Sequence, residues 1–198
     1  MQSTIIPPEL LLEAYATGMF PMGMPDGTIR WYSPHPRGIL PLDTFHTPHG
    51  LRRALKRMTG GDWEIRCDSD FAGVMNACAA REETWITRAI FQSTQKLFAS
   101  GHAHSVEIWY QERLVGGLYG VVLGGVFFGE SMFHHVSDAS KVALWHLVQI
   151  LKKGQCSLLD TQWITPHLTQ FGAIEISRDD YLLRLGAAID QSPCFPPA

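Results

Sequence analysis

The stretch SVEIWYQERLVGGLYGVV, Ser105 to Val122, decides the fold. Val106, Ile108 and Tyr110 recur at a period of two, the polar pair Gln111-Glu112 interrupts them, and the apolar run resumes at Leu114. That pattern is an antiparallel hairpin. Working outward, Gly124-Gly125 turns the chain into a further strand at Val126-Phe127-Phe128, and Ser137-Asp138 caps a helix from Ala139 to Lys153. Ser157 to Asp160 is a short buried strand, and Ser177-x-x-Asp180 has the form of a capping box ahead of a last helix, Tyr181 to Ala188. Upstream of the hairpin, three helices are expected. Thr47 as N-cap with Pro48 at the first helical position opens one that runs to Gly60-Gly61. Asp70 to Ala80 is the second, and Thr84-Trp85-Ile86-Thr87 leads into the third, which ends at Gly101. Trp63 to Cys67 alternates as a strand does. Helices, a hairpin-rich sheet, a capped helix and a final strand make an α+β (mixed α/β) domain.

At the N-terminus, Leu11, Ala14 and Tyr15 have helical spacing within Glu9 to Thr17, and Gly18 terminates the segment. A Gly/Pro-rich loop follows, in which four prolines between positions 21 and 36 exclude regular helix. Residues 1–36 are therefore expected to form a small N-terminal domain packed on a larger one, 37–198.

A chain of 198 residues is one domain, or one domain with an appendage. With 45% hydrophobic and only 18% charged residues it must fold rather than stay disordered. Gly120, Gly124 and Gly125 break the longest apolar run well short of the roughly 20 residues of a membrane span. Met1 to Glu9 lacks the basic and apolar regions of a signal peptide, so the expected location is the cytoplasm, with no membrane partner. A formal charge of −3 excludes a wholesale electrostatic grip on nucleic acid and leaves only a local patch. Cys67, Cys78, Cys156 and Cys194 show no paired spacing and read as reduced structural residues.

Several chemistries fail on their motifs. His102-x-His104 and His134-His135 lack a carboxylate or thiolate at ligand spacing, so no metal site is expected. Ser131 lacks the second glycine of a nucleophile elbow. Neither a Walker loop nor a complete acetyl-CoA loop is present, since Arg113-Leu114-Val115-Gly116-Gly117-Leu118 fails at its last position. Two arrangements remain. Gly124 to Phe133 sets Glu130 among aromatic and thioether side chains, which suits an ammonium group beside an apolar one, or else places Glu130 at the rim of a buried sheet. In Leu158 to Trp163 an apolar strand ends in Asp160 and Gln162, two acceptors at spacing two, which form either a site or a turn cap. Arg52, Arg53, Lys56 and Arg57 cluster on one helix face, as a phosphate contact or a solvated surface.

These segments resemble the leucyl/phenylalanyl-tRNA–protein transferases. The similarity runs through Gly18-Met19-Phe20-Pro21, Trp31-Tyr32-Ser33-Pro34-x-Pro36-Arg37, Arg81 to Thr87, Gly101 to Glu107, Leu114 to Gly120, Phe128 to Phe133 and Asp138 to Lys141, all in one order. The resemblance implies a GNAT-like acyltransferase domain that uses aminoacyl-tRNA in place of acetyl-CoA, without a metal or organic cofactor. It implies transfer of Leu or Phe, and Met less readily, from Leu-tRNA or Phe-tRNA to the α-amine of proteins with N-terminal Arg or Lys. The product is a degradation signal of the N-end rule, and the enzyme is expected to be a monomer.

By the same resemblance, Asp160 and Gln162 are catalytic, with Asp160 polarising or orienting Gln162 and Gln162 chiefly orienting the attacking amine. Glu130 holds the α-ammonium of the carried amino acid. Leu118, Phe127, Met132 and Leu144 wall its side chain, and Trp85 stacks on the terminal adenine. Met22 stands where the family usually has a second tryptophan near that adenosine. Arg52, Arg53, Lys56 and Arg57 become the tRNA contact. Two other readings compete: a GNAT-like acyltransferase with a different donor, and a non-catalytic RNA- or degron-binding module.

Overall fold

In a computed structural model the chain is described from residue 4 to residue 196. The first three residues of the opening stretch, where a targeting signal would lie, and the last two of the larger domain fall outside that span. Helix α1 (Pro8–Ala16) starts with proline at its first position, where the missing N–H costs nothing, and Gly18 leaves it at φ +76°. The loop expected next is instead a hairpin, β1 (Phe20–Gly23) paired antiparallel with β2 (Ile29–Tyr32). The prolines do exclude helix there, but a two-stranded ribbon has free edges on both sides and tolerates a residue without an N–H.

Strand β3 (Arg37–Ile39) then enters the main sheet, and α2 (His49–Arg57), β4 (Trp63–Cys67), α3 (Phe71–Ala79) and α4 (Arg88–Ala99) follow. The expected hairpin is β5 (Ala103–Tyr110) with β6 (Arg113–Leu123). After it come β7 (Val126–His134), α5 (Ala139–Lys153), β8 (Leu158–Gln162), α6 (Pro166–Thr169), β9 (Ile174–Ile176) and α7 (Arg178–Ile189). The sequence pattern left β3, α6 and β9 unmarked because each is only three or four residues long.

Two caps differ from expectation. Pro48, extended at ψ 158°, occupies the N-cap of α2, and the Thr47 carbonyl accepts from the Arg52 side chain. Asp138 sits in the left-handed region at φ 71°, and its carboxylate takes Lys141 and Arg57 rather than the free N–H groups of α5. Asp70 caps α3 through Gly73 N–H and Ser177 caps α7 through Asp180 N–H, the latter helix starting three residues earlier than the apolar pattern indicated.

The main sheet has seven strands in the order β4-β5-β6-β7-β8-β3-β9. One face packs on α2 and α5 through Leu51, Ala54, Val142 and Leu147, and the other on α1, α3, α4 and α7 through Leu11, Val74, Leu97 and Leu185. Helices on both faces bury both sides of the central strands. The period-two alternation of β5 therefore separates two buried faces, not an inside from an outside. Glu107 is fully buried and has its oxygens taken by Asp70 N–H, Ser105 Oγ and Trp109 Nε1. His104 is buried against Asp68, and the four thiols are free.

All neighbours in the sheet are antiparallel except β7 and β8, which α5 joins as a parallel crossover pair. Their pairing runs only from Val126↔Leu158 to Phe128↔Asp160. Beyond that point β7 stays on β6, while β8 pairs with β3 at Ile39↔Asp160 and Gly38↔Gln162. The sheet forks there.

Candidate active site

A cavity of 510 Å³ opens at the fork, well within the range of small-molecule sites. Residues of β7 from Gly129 to Met132, and His134, line it, with Leu118 of β6, Leu144 and Leu147 of α5, and Leu159 and Gln162 of β8. Trp85, Arg81 and Trp163 border it. The wall is mainly apolar, as an aliphatic or aromatic side chain requires.

Three polar groups converge where the strands part. Asp160 is completely buried and its four lone-pair directions are filled. Its Oδ1 accepts Arg37 Nε at 3.0 Å and Gln162 N–H at 2.7 Å, and its Oδ2 accepts Arg37 Nη2 at 2.6 Å and Tyr181 OH at 2.7 Å. Arg37, itself buried, sends its remaining Nη1 to the Gly18 carbonyl at 2.8 Å. A buried charge survives only when paired and hydrogen-bonded in this way. Gly38 lets β3 come this close, since a Cβ there would lie 2.7 Å from the Trp163 carbonyl carbon.

The backbone bond from Asp160 has a second effect. Gln162 has φ +63°, and Trp163 N–H returns to the Thr161 carbonyl at 2.7 Å, so the strand ends in a strained γ-turn centred on Gln162. Such strain gathers at functional sites. The turn aims the amide back across the fork, where Gln162 Nε2 donates to Glu130 Oε1 at 3.1 Å. A carboxylate only accepts, so the amide NH₂ faces Glu130 and the amide oxygen is left for another donor. Tyr15 OH, from α1, gives Oε1 its other bond at 2.8 Å. Burial pushes the Glu130 carboxyl up to about 7, Asp160 adds to the rise, and Tyr15, Gln162 and Arg37 oppose it. Burial and the neighbouring Glu130 also raise Tyr15, which keeps it a phenol that donates.

The site residues expected from sequence divide accordingly. Asp160, Gln162 and Glu130 meet at the fork, and Leu118, Met132, Leu144 and Trp85 line the cavity. Phe127 does not: it is wholly buried beneath the wall, packed with Phe195. The β7 residues that line the cavity begin only at Gly129, past the last β7–β8 pair at Phe128↔Asp160, and Phe127 lies before that point. Met22 of β1 also stays off the wall, half-buried against the core, although its strand neighbour Gly23 N–H donates to the Trp85 carbonyl. Arg52, Arg53, Lys56 and Arg57 form an exposed face of α2, outside the cavity. Arg57 reaches Asp138, while Arg53 and Lys56 bond no described residue.

Sequence reasoning missed Tyr15, Arg37, Tyr181, Arg81 and Trp163. Tyr15 was the one hydroxyl on an apolar helix face, and Arg37 the one cation closing a Pro-rich block; each was a signal, neither named a partner.

An apolar cavity in a forked mixed sheet, with an amide and a carboxylate at its head, has the form of an enzyme site for a small molecule with an apolar side chain and a polar group beside it. Comparisons with known proteins narrow that class. Family models described as leucyl/phenylalanyl-tRNA protein transferase and its N-terminal domain match residues 39–186 and 5–35. The leucyl/phenylalanyl-tRNA–protein transferase of Cereibacter sphaeroides is 51% identical over 199 aligned positions, spanning 100% of this chain and 92% of that protein. The one from Salinibacter ruber is 51% identical over 96% of this chain and 83% of that protein. Among solved structures, a GCN5-related N-acetyltransferase-like protein from Streptococcus suis aligns over 85% of this chain and 64% of its own, at 13% identity and a TM-score of 0.43. The chain belongs to the leucyl/phenylalanyl-tRNA protein transferase family.

Proposed function

We infer that the chain moves Leu or Phe, and Met less readily, from charged tRNA to the α-amine of proteins that begin with Arg or Lys, and so makes a degradation signal. The observation that carries this reading is the Glu130–Gln162 pair at the head of an apolar cavity in a chain of this family. The ester of an aminoacyl-tRNA is already activated, so catalysis consists mainly of alignment. In this reading the carried side chain lies between Leu118, Met132, Leu144, Leu147 and Leu159. Leucines with one adaptable thioether, Met132, make a wall that accepts Leu, Phe and Met and fits β-branched residues poorly. Glu130 faces the α-amino group of the carried residue. Gln162 offers its amide oxygen to the incoming amine. Asp160 acts through the Gln162 backbone, since its carboxylate oxygens touch no Gln162 side-chain atom. Trp85 stacks on the terminal adenine, with no second tryptophan at Met22, and the α2 face meets tRNA phosphates. Residues 1–36 act as a small domain that completes the site of the larger GNAT-like one, and the protein works as a cytoplasmic monomer.

The test is transfer of labelled leucine from Leu-tRNA to peptides beginning with Arg, Lys or Asp. Label on the Arg and Lys peptides only, lost in Gln162→Ala with donor binding kept, supports the reading. Label on none, with Phe-tRNA equally silent and the protein folded, overturns it.

A further inference from the structure

Amide formation requires the attacking nitrogen to shed a proton, and four nearby groups compete to receive it. Asp160 is excluded by its bonding, since all four of its acceptor positions are occupied and it is shut from the cavity. Gln162 is excluded by chemistry, because a neutral amide is a poor base. His134 is four residues further along β7 from Glu130, about 13 Å at the rise of a strand, at the other end of the cavity. Glu130 remains. Its Oε1 is filled by Tyr15 and Gln162, but no described residue donates to its Oε2, which is not sealed in the interior and belongs to the cavity wall. That oxygen has two acceptor positions, one for the carried α-amino group and one more.

We propose that Glu130 Oε2 is the general base of the transfer, taking the proton from the attacking amine that Gln162 orients. The inference rests on the transferase reading above and deepens it. The lone pair of the amine nitrogen attacks the ester carbonyl carbon, the C–N bond forms, and the carbonyl π pair moves to oxygen. The surplus proton on nitrogen passes to Glu130 Oε2. On collapse the bond from carbon to the tRNA 3′ oxygen breaks, and that oxygen takes the proton from Glu130, so ester and amine become amide and alcohol.

The surroundings suit the role. Tyr15 from α1, Tyr119 from β6, Arg37 from β3 and Asp160 from β8 are the titratable or charged groups around Glu130. Their balance with burial holds the carboxyl at about 7, near neutrality, where a base both accepts and returns a proton.

The test separates holding the α-amino group from receiving the proton. Wild type and Glu130→Gln are compared, with tRNA saturating, on Leu-tRNA and on tRNA esterified with the 2-hydroxy analogue of leucine, which has no α-amino group. A general base predicts a loss of about 10²-fold or more in single-turnover rate with both donors. It also predicts a wild-type rate that rises through about pH 7, a limb missing in the variant. A loss confined to Leu-tRNA, or an unchanged pH profile in the variant, overturns it. Thermal melting and donor binding of Glu130→Gln confirm that the variant is folded, and a wild type inactive with both donors overturns the transferase reading itself.

Discussion

Arg37 is bound on three sides inside the protein, to Asp160, to Tyr181 and to the Gly18 carbonyl, and nothing in its neighbourhood can replace it. Arg37→Gln keeps much of the volume but leaves Asp160 buried without its cation. Removing one member of a buried pair costs about 3–5 kcal/mol, and urea unfolding of the variant should register a loss of that size. A loss below about 1 kcal/mol would mean that Tyr181 and the Gln162 N–H hold the carboxylate alone. At this scale the sequence disclosed the site unevenly. Asp160 and Gln162 stood out as two acceptors at spacing two ending an apolar strand, a pattern that fits a turn cap equally well, and it was the family resemblance that made them site residues. Arg37 did not stand out, because its partner lies 123 residues away, and Tyr15 is 115 residues from Glu130. No local pattern encodes such a pairing.

Helix α2 has a buried apolar face and an exposed basic one. Leu51 and Ala54 are buried against the core, whereas Arg52, Arg53, Lys56 and Arg57 are exposed. Arg53→Glu with Lys56→Glu should leave stability within about 0.5 kcal/mol, since neither side chain bonds another described residue. The same pair should weaken tRNA binding and flatten its dependence on salt, by about 0.7–0.9 in the log–log slope for each phosphate that is no longer neutralised. Filter binding across a salt series measures both. Equal affinity at low salt would remove α2 from the tRNA path. Helices and the long strands of this chain were readable from periodicity alone, and their ends were less so. Thr47 and Asp138 have the composition of caps, but Pro48 and the demands of Lys141 and Arg57 decide the backbone there. The β1–β2 hairpin was hidden by its prolines, which argue against helix without arguing for sheet.

The whole molecule feels Glu130 through pH. Its carboxyl titrates at about 7 in the folded protein against an ordinary 4.5, so between those values the native state binds more protons than the unfolded chain. Stability from this group is therefore undiminished below about pH 4.5 and is lost as pH rises through about 7, by an amount on the order of 3 kcal/mol. Unfolding curves of wild type and Glu130→Gln at pH 5 and pH 8 isolate the effect. The variant should gain on the wild type as pH rises, and parallel curves would show that Glu130 ionises freely. The mixed α+β class followed from the order of elements, but the fork in the sheet did not, because a parallel pair that ends after three rungs leaves no mark on hydrophobic periodicity. The Arg37 junction ties position 18 to position 181 through Asp160, so an early and a late segment close on one carboxylate. On the ribosome, then, Asp160 and Gln162 are made before the tyrosine that helps to hold them. A nascent chain that stops short of α7 already has every strand of the sheet, yet its Asp160 has no tyrosine to donate to Oδ2.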